Sequence, residues 1–438
     1  MSDRRGRPRG RGKSNPWAKA AGQSKHGGRS RGRERGRSPD TIPEGLGEPE
    51  FDKPWVRLHF PPPHPLIWRK TVIDRSPDAR PGELVHVYDK DGARIGAGLY
   101  APRSHHVLRM LRRDGEAWSE DWLRDTLDEA IALRRELFRL DDRSEAWRVV
   151  HAEGDGLPGL MIDRYGPLLS IELFTEGWIG LLPILIEHLH ERLGTESAIV
   201  QADRRALETE RFKDPGRRFG AVPDTLEVRE DGIRFLIDPS GGHKTGFFCD
   251  QRENRKRLAG LCEGRRVLDT CTYTGGFALA AATGGASEVT AVDLDESAVA
   301  MAKRNADLNQ QRIKVLQADA FHYLRQMESN GEQWDVLVLD PPKFIPDRKS
   351  EELGRRKYVD LNRLALPLVK PGGLLVSCSC SGLVSPGELT AILAEASRKG
   401  DHGRSVQIFD MTGAGPDHPV RADCPESGYL KVAWCRVL

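Results

Sequence analysis

The feature that most constrains the fold is a series of short apolar segments, most ending in an acidic residue, that alternate with helical segments after about residue 250. The predicted strands are residues 266–270, 288–292, 314–317, 336–339 and 374–378, and the predicted helices are residues 277–282, 297–309 and 358–368. This alternation is typical of βαβ units on a parallel sheet whose strands are covered on both faces. Because such sheets bind ligands at the carboxyl ends of their strands, the acids there are candidate site residues.

The fourth of these strands ends in Asp340, which is followed by Pro341 and Pro342. Proline has no backbone N–H and a fixed φ, so the chain leaves the sheet in a stiff turn. The sequence therefore predicts an acid held rigidly at a ligand crevice, suited to a planar amide or a base edge. An ordinary strand-end turn is the alternative interpretation of an isolated Asp-Pro-Pro sequence.

The first strand ends in Asp269 and leads through Tyr273 and Thr274 to the pair Gly275 and Gly276, where a small-residue helix begins. Glycines at a strand-to-helix turn let the backbone approach a ligand closely and expose helix N–H groups. These residues are predicted to bind a cofactor.

The second and third strands also end in acids, Asp293 and Asp319. An acid about 20 residues after such glycines binds ribose hydroxyls in doubly wound sheets, and Asp319 is predicted to accept from an adenine amino group. NAD is disfavoured because the turn lacks the G-x-G-x-x-G sequence that holds a pyrophosphate. S-adenosylmethionine carries no phosphate, and its cationic centre suits acids, so the pattern predicts a methyltransferase with this cofactor.

The first 40 residues are rich in Arg and Gly and contain 13 Lys and Arg against 3 acids. Such a segment buries too little apolar surface to fold and is predicted to be a disordered tail. Guanidinium groups on a flexible chain bind phosphates and stack on bases, which favours a nucleic-acid tether. A solubilising tail is the alternative.

Composition points to a cytoplasmic protein: mean hydropathy is −0.53, and no run reaches the about 18 apolar residues of a membrane span. The seven cysteines include no C-x-x-C pair, so no disulfide framework and no metal site are predicted.

Before the α/β region, an Asp-Gly turn near residue 91 predicts a β-hairpin in a small β-rich module. A mixed α+β segment follows, with helices predicted at 120–139 and 179–193.

Five motifs together carry a resemblance: GGHKTGFFCDQRENR (241–255), VLDTCTYTGGF (267–277), VLDPPKF (338–344), SCSGLVS (379–385) and PDHPV (416–420). With them the chain, from about residue 54 to 438, resembles the ribosomal RNA large-subunit cytosine-5 methyltransferase I (RlmI) family. The resemblance implies an α/β fold: a class I (Rossmann-like) methyltransferase domain at 241–438, preceded by a small β-rich PUA domain at 53–118 and a central α+β domain at 119–240. Residues 1–50 lie outside it as the basic tail.

The resemblance also implies a ribosomal RNA substrate, 5-methylcytidine as the product and a possible homodimer. It places Gln251, with Lys244 and Phe248, at the cofactor pocket or its lid. No membrane partner is expected.

Carbon 5 of cytosine is a poor nucleophile, so an enzyme thiolate must first add to carbon 6. Cys378 and Cys380 are predicted on one strand face, about 7 Å apart. Cys380 is nearer the strand's carboxyl end and matches the thiol of the family's S-C-S motif, so it is the predicted catalytic cysteine. Cys378 is predicted to be a core residue.

Asp340 is then the second catalytic residue, holding N3 or the exocyclic amine of the cytosine, with Pro341, Pro342, Lys343 and Phe344 on the substrate side. Lys343 stands where another class of cytosine-5 methyltransferase has a second cysteine, so the sequence does not show how the thiol is regenerated.

The basic loop 343–357 is predicted to close over RNA or to be solvated. Two alternatives remain: amino methylation of guanine or adenine, which needs no thiol, and a non-catalytic RNA-binding protein.

Overall fold

A computed structural model describes residues 42–45, 51–239, 246–400 and 403–438. Most of the predicted basic tail and the predicted pocket residue Lys244 therefore lie outside the described residues. The described part contains sheets and helices in the order the sequence predicts, with a β-rich module first and the parallel sheet last.

The β-rich module forms a six-stranded sheet in the order β2-β6-β5-β4-β1-β3. Its strands are β1 Trp55–Leu58, β2 Leu66–Trp68, β3 Val72–Arg75, β4 Leu84–Tyr88, β5 Arg94–Tyr100 and β6 His106–Arg112. β4 and β5 pair antiparallel around Gly92, whose φ of 88° suits the predicted Asp-Gly turn. The hairpin prediction is confirmed.

The central segment is a five-stranded sheet, β11-β10-β9-β8-β7, with helices packed against it. Its elements are α1 Glu120–Ala132, β7 Ala146–His151, β8 Leu160–Tyr165, β9 Leu168–Leu173, α2 Leu182–Leu193, β10 Ser197–Ala202, α3 Arg204–Glu210 and β11 Arg217–Phe219. The predicted helix at 179–193 is preceded by a 3-10 segment, Glu176–Leu181. A separate hairpin, β12 Leu226–Glu230 with β13 Ile233–Ile237, follows.

The last sheet has seven strands in the order β16-β15-β14-β17-β18-β20-β19. Its elements, with the preceding helix, are α4 Arg252–Ala259, β14 Arg266–Thr270, α5 Gly276–Thr283, β15 Glu288–Asp293, α6 Glu296–Leu308, β16 Ile313–Gln317, α7 Ala320–Ser329, β17 Trp334–Leu339, α8 Glu351–Ala365, β18 Val369–Ser379, α9 Pro386–Lys399, β19 Val406–Thr412 and β20 Lys431–Val437. The pairs among β14 to β18 are parallel, and β20 is antiparallel to both β18 and β19.

The apolar run of β17 is central in this sheet, and Val336 to Leu339 are fully buried. Successive residues alternate between two apolar cores, one on each face. Covering both faces leaves the carboxyl ends of the parallel strands as the place where polar side chains reach a ligand.

The helix predicted at 358–368 begins earlier, at Glu351, so the second half of the predicted basic loop 343–357 is helical. Gly354 explains the early start: a Cβ there would come within 2.4 Å of the Phe344 carbonyl oxygen, so only glycine lets the helix pack against the Asp-Pro-Pro turn. The helix gives this part of the loop a regular structure, while most residues of 343–357, Lys343 and Lys357 included, are exposed to solvent.

Buried charges join the central segment to the last sheet. Arg252 donates to Asp417 Oδ2 at 2.6 Å, and the backbone N–H of Arg148 donates to the same oxygen at 2.9 Å. Although burial opposes ionisation, the charges of Arg252 and His418 hold the pKa of Asp417 well below its usual range. Because an unpaired buried charge costs several kcal/mol, the network fixes how the two layers meet.

Candidate active site

A cavity of about 1160 Å³ lies at the carboxyl ends of β14 to β18. Residues of the central segment close its other wall, and Leu66 of the β-rich module also reaches it. Most of the predicted site residues line the cavity: Gln251, Tyr273, Thr274, Gly276, Asp293, Asp319, Asp340, Pro341, Pro342, Lys343, Phe344 and Cys380. Asp269 and Gly275 lie behind the wall.

The turn after β14 is held in an unusual backbone conformation. Cys271, Tyr273 and Gly275 have φ values of 59°, 50° and 92°. Positive φ is uncommon for residues other than glycine and marks turns that the surroundings determine. The backbone N–H of Tyr273 donates to Asp293 Oδ2 at 2.8 Å, so the second strand's acid fixes the first strand's turn.

Asp269 differs from its predicted role in direct cofactor contact. It is fully buried and accepts from Thr272 Oγ1 at 2.5 Å and from the Ala278 N–H at 2.9 Å. Burial, and next the charge of Asp340, raise the pKa of Asp269 to about 7. The carboxyl therefore supports the turn and the start of α5 from behind the cavity wall.

Asp319 has a structural role that the sequence did not indicate. Its side chain caps α7 by accepting from the His322 N–H at 2.9 Å, while the residue still lines the cavity. Whether it contacts adenine stays a prediction.

Asp340 follows β17 and is oriented by a chain of two hydrogen bonds from residues at the start of α4. Gln251 Nε2 donates to Asp340 Oδ2 at 3.1 Å, and Asn254 Nδ2 donates to Gln251 Oε1 at 2.7 Å. Gln251 and Asn254 are buried, so the amide is fixed from behind. Gln251 therefore holds the acid at the cavity wall, a contact that its place in a distant motif did not reveal.

The two cysteines separate as predicted. Cys378 lies inside β18 and is fully buried, and burial, then the charge of Asp340, raise the pKa of its thiol well above the ordinary value. Cys380 comes just after the strand ends and lines the cavity, only partly buried. A thiol that attacks a ligand must be reachable from the cavity. Cys380 meets this condition and Cys378 does not, because the core encloses Cys378.

Ser381 anchors the turn that carries Cys380. Its hydroxyl shares a hydrogen bond of 3.0 Å with Tyr358 Oη and accepts from the Ile345 N–H at 3.2 Å. Its carbonyl oxygen accepts from Lys431 Nζ at 2.7 Å. Three distant segments thus hold this turn, residues 380–382, which we call the cysteine turn.

The opposite wall contains polar residues that the sequence analysis did not predict as site residues. Arg148 and His151 from β7 and Tyr429 line the cavity there. Burial, and next the charge of His418, lower the pKa of His151 well below its ordinary value, so the imidazole is neutral. The signal in the sequence was weak because β7 lies more than a hundred residues before the parallel sheet.

Acids on the wall fit the predicted cofactor. Asp250 lines the cavity, and its Oδ2 accepts from Tyr429 Oη at 2.6 Å while its buried Oδ1 has no hydrogen-bond partner in the described part of the chain. A buried carboxylate oxygen without a donor suits a cationic or N–H group of a ligand. A sulfonium and ammonium compound matches this wall better than a pyrophosphate does.

One set of possible metal donors lies at the cavity rim. His64, Cys424 and Glu426 bring a ring nitrogen, a thiol and a carboxylate within 4.8 Å of one another. His64 Nε2 and Glu426 Oε1 already share a hydrogen bond of 2.6 Å, which links the β-rich module to the segment before β20.

Comparisons with known proteins agree with this geometry. The family described as S-adenosylmethionine-dependent methyltransferase matches residues 148–422, and a PUA-like domain matches residues 63–113. "Ribosomal RNA large subunit methyltransferase I" of Cronobacter sakazakii is 34% identical over 391 residues, covering 86% of this chain and 96% of that protein. The chain belongs to the RlmI family.

Another member of similar length is "Ribosomal RNA large subunit methyltransferase" of Deinococcus radiodurans, 36% identical over 395 residues, which covers 87% of this chain and 95% of that protein. The solved structure of SMU.776, described as a putative methyltransferase complexed with SAH, superposes with a TM-score of 0.72 at 19% identity, covering 85% of this chain and 95% of that one. This likeness shows the fold. The predicted α/β methyltransferase fold with a PUA-like domain is confirmed.

Membership of this RlmI family establishes the chain as an S-adenosylmethionine-dependent methyltransferase, as predicted from its strand ends. The described helices include none with the length and apolar character needed to cross a membrane.

Proposed function

We propose that this enzyme methylates carbon 5 of a cytosine in large-subunit ribosomal RNA, with Cys380 as the nucleophile. The observation that carries the proposal is the position of Cys380 on the same cavity wall as Asp340, while Cys378 is enclosed. The relatives named for ribosomal RNA support the choice of substrate.

In the proposed reaction the Cys380 thiolate adds to carbon 6, forming a carbon–sulfur bond and moving the electron pair of the C5–C6 double bond toward carbon 5. S-adenosylmethionine supplies the methyl group that carbon 5 then takes. Removal of the C5 proton by a base restores the double bond and expels the thiolate. The thiol is therefore regenerated without being consumed.

Asp340 holds the base during this sequence. When protonated, its carboxyl donates to N3 and makes carbon 6 more electrophilic; when ionised, it accepts a hydrogen bond from the exocyclic amine and orients the base. Gln251 fixes the carboxylate from behind. Pro341, Pro342, Lys343 and Phe344, which line the cavity beside it, contact the target nucleotide and its phosphate.

Asp293 and the turn from Tyr273 to Gly276 hold the cofactor in this proposal, with Asp319 at the adenine. Asp269 supports them from behind. The β-rich domain, 53–118, binds RNA, the central domain is 119–240, and the methyltransferase domain is 241–438. The enzyme acts in the cytoplasm as a homodimer, which sedimentation of the purified chain tests.

The decisive test compares Cys380→Ala with Cys378→Ala, since the two thiols are two residues apart and only the first lines the cavity. We expect Cys380→Ala to abolish 5-methylcytidine, a loss of at least about 10³-fold, and Cys378→Ala to retain activity. Nucleoside mass spectrometry of ribosomal RNA incubated with each variant measures the product and its position.

RNA containing 5-fluorocytidine provides the second arm, because fluorine at carbon 5 blocks the final elimination and leaves enzyme and RNA joined. A covalent complex with wild type and Cys378→Ala but not Cys380→Ala supports the proposal. Methylation retained by Cys380→Ala would instead point to amino methylation, and an N-methyl purine in the digest would identify it.

A further inference from the structure

Lys431 is the first residue of β20 and lies next to the cysteine turn. β20 pairs antiparallel with β18, and Lys431 is opposite Ser379, the residue before Cys380. Its Nζ donates to the carbonyl oxygens of Ser381 and Tyr429, each at 2.7 Å. The lysine thus holds the residue after the cysteine through its side chain and the residue before it through strand pairing.

The environment of Lys431 is unusual for a lysine. Only 5% of the residue is exposed, and within the described ranges no carboxylate forms an ion pair with it. Burial lowers the pKa of Lys431 to about 8; a charge on Cys380 opposes this change, and the charge of Lys343 adds to it. A buried ammonium needs an anion nearby, and the ionised thiol is the group that supplies one.

The hydrogen bonds of Lys431 fit both protonation states. A neutral amine has two N–H groups, which the two carbonyl oxygens accept, and one lone pair. An ammonium has three N–H groups, so one donor remains after the two carbonyls. The lone pair of the neutral amine can therefore take the proton that a thiol loses, and the third N–H of the resulting ammonium can donate to the thiolate.

We propose that Lys431 is a positioning residue that takes the Cys380 proton and stabilises the thiolate, an inference that rests on the proposed function. The S–H bond breaks and an N–H bond forms on Nζ, so a neutral thiol and amine become a thiolate and an ammonium. The pair carries no net charge before or after the transfer, which suits a partly enclosed site. When the thiolate is expelled at the end of the reaction, the same pair is restored.

Other charged and titratable groups face the same place and are part of the argument. Asp340 follows β17, Lys343 lies in the turn after it, Tyr358 is on α8, and Cys378 is within β18. Asp340 opposes ionisation of a neighbouring thiol, as it does for Cys378. Lys343 lies in the cavity wall, so Lys431 is the lysine that the core fixes beside the cysteine turn.

The test measures the ionisation of Cys380 directly, without RNA. The full-length protein is treated with iodoacetamide from pH 6 to 10, and mass spectrometry of peptides gives the modification rate at Cys380. In wild type we expect a midpoint below the ordinary thiol value of about 8.5. In Lys431→Met we expect a rise of at least about one pH unit and a roughly tenfold lower rate at pH 7.5.

Lys370→Met is the matched control. Lys370 is on the same strand as Cys378, near the opposite end, and forms a partly buried ion pair with Asp335 at 2.8 Å. Removing that charge is expected to leave the midpoint unchanged. Lys431→Arg keeps the positive charge and is expected to keep the midpoint low.

An alkylation profile of Lys431→Met identical to wild type would overturn the inference, as would a wild-type midpoint at or above the ordinary value. Cofactor titration shows whether Lys431→Met folds. If it does not fold, the wild-type midpoint still tests the inference. If the profile shifts but no 5-methylcytidine is formed, the proposed function fails while the coupling stands. If 5-methylcytidine is formed and the profile does not shift, only the role of Lys431 fails.

Discussion

The two halves of the cleft are built differently. In the half proposed to bind the cofactor, which we call the cofactor half, Thr272 donates to Asp269 across 3 residues of sequence, and the Tyr273 N–H donates to Asp293 across 20. In the substrate half, Gln251 contacts Asp340 across 89 residues and Lys431 contacts Ser381 across 50. One half is assembled locally by a strand, a turn and the next strand, whereas the other exists only after distant segments have packed.

This difference implies that the halves can be damaged separately. In the proposed function, local hydrogen bonds in the cofactor half determine how the methyl donor is held, and the orientation of Asp340 and of the cysteine turn determines the rate of the chemical step. A change in one half should therefore leave the property governed by the other half close to wild type.

Among substitutions of the three acids Asp340, Asp293 and Asp269, Asp340→Asn should have the largest effect. The asparagine keeps the size and can accept from Gln251, but it loses the carboxyl group with which Asp340 is proposed to hold the base, so we expect the methylation rate constant to fall about 10² to 10³-fold. The affinity for S-adenosylmethionine should change less than about threefold. Single-turnover methylation and isothermal titration measure the two quantities.

Asp335→Asn is the control, because Asp335 is near the start of β17, the strand that Asp340 follows, and forms a partly buried ion pair with Lys370. It should retain the wild-type rate. Equal losses of rate and cofactor affinity in Asp340→Asn would show that the two halves are not separable.

Asp293→Ala should have a smaller effect, confined to the cofactor half. It removes the acceptor of the Tyr273 N–H and releases the positive-φ turn, so cofactor affinity should weaken about 10- to 30-fold, or about 1.5 to 2 kcal/mol. The alkylation profile of Cys380 should stay as in wild type. Glu288→Gln, at the start of the same strand, is the control and should preserve cofactor affinity. A shifted alkylation profile of Cys380 in Asp293→Ala would contradict the separation of the two halves.

Asp269→Asn should change only the pH dependence of stability. The pKa of Asp269 is raised in the folded state to about 7, so the folded state binds more protons than the unfolded one. Stability from this group is present at acid pH and is lost as pH rises toward 7. Between pH 6 and 8 the wild type should lose about 1 kcal/mol that the variant does not. Urea unfolding of both proteins without cofactor at the two pH values checks this; parallel midpoints would contradict it.

The same difference explains what the sequence could predict. The acids at the ends of β14 to β17 follow apolar runs directly, so strand periodicity alone placed Asp293, Asp319 and Asp340 at one edge. The position of Cys380 at the cavity was predicted because the proposed chemistry requires a thiol near a strand end, and its catalytic role stays a prediction. Lys431, His151 and Gln251 gave no such local signal, because tertiary packing alone brings them to the cleft.

Asp269 shows that a correctly predicted position in the sheet does not by itself give the direction of the side chain. Its position at a strand end was predicted correctly, but a strand-end carboxylate can face the ligand or the turn behind it. The backbone conformation from Cys271 to Gly275 decides between these, and a positive φ at a non-glycine residue cannot be deduced from residue types. The early start of α8 depends in the same way on a close contact at Gly354.

The placement of β20 has a consequence for the timing of activity during synthesis. The strand Lys431–Val437 is inserted between β18 and β19, both of which are made earlier. A ribosome that has translated the chain through Cys380 has therefore produced the proposed nucleophile but not Lys431, which holds the cysteine turn. If Lys431 ionises Cys380 as proposed, the thiol becomes reactive only after β20 has been made and has paired with β18, so the growing chain does not carry an activated cysteine while it is attached to the ribosome.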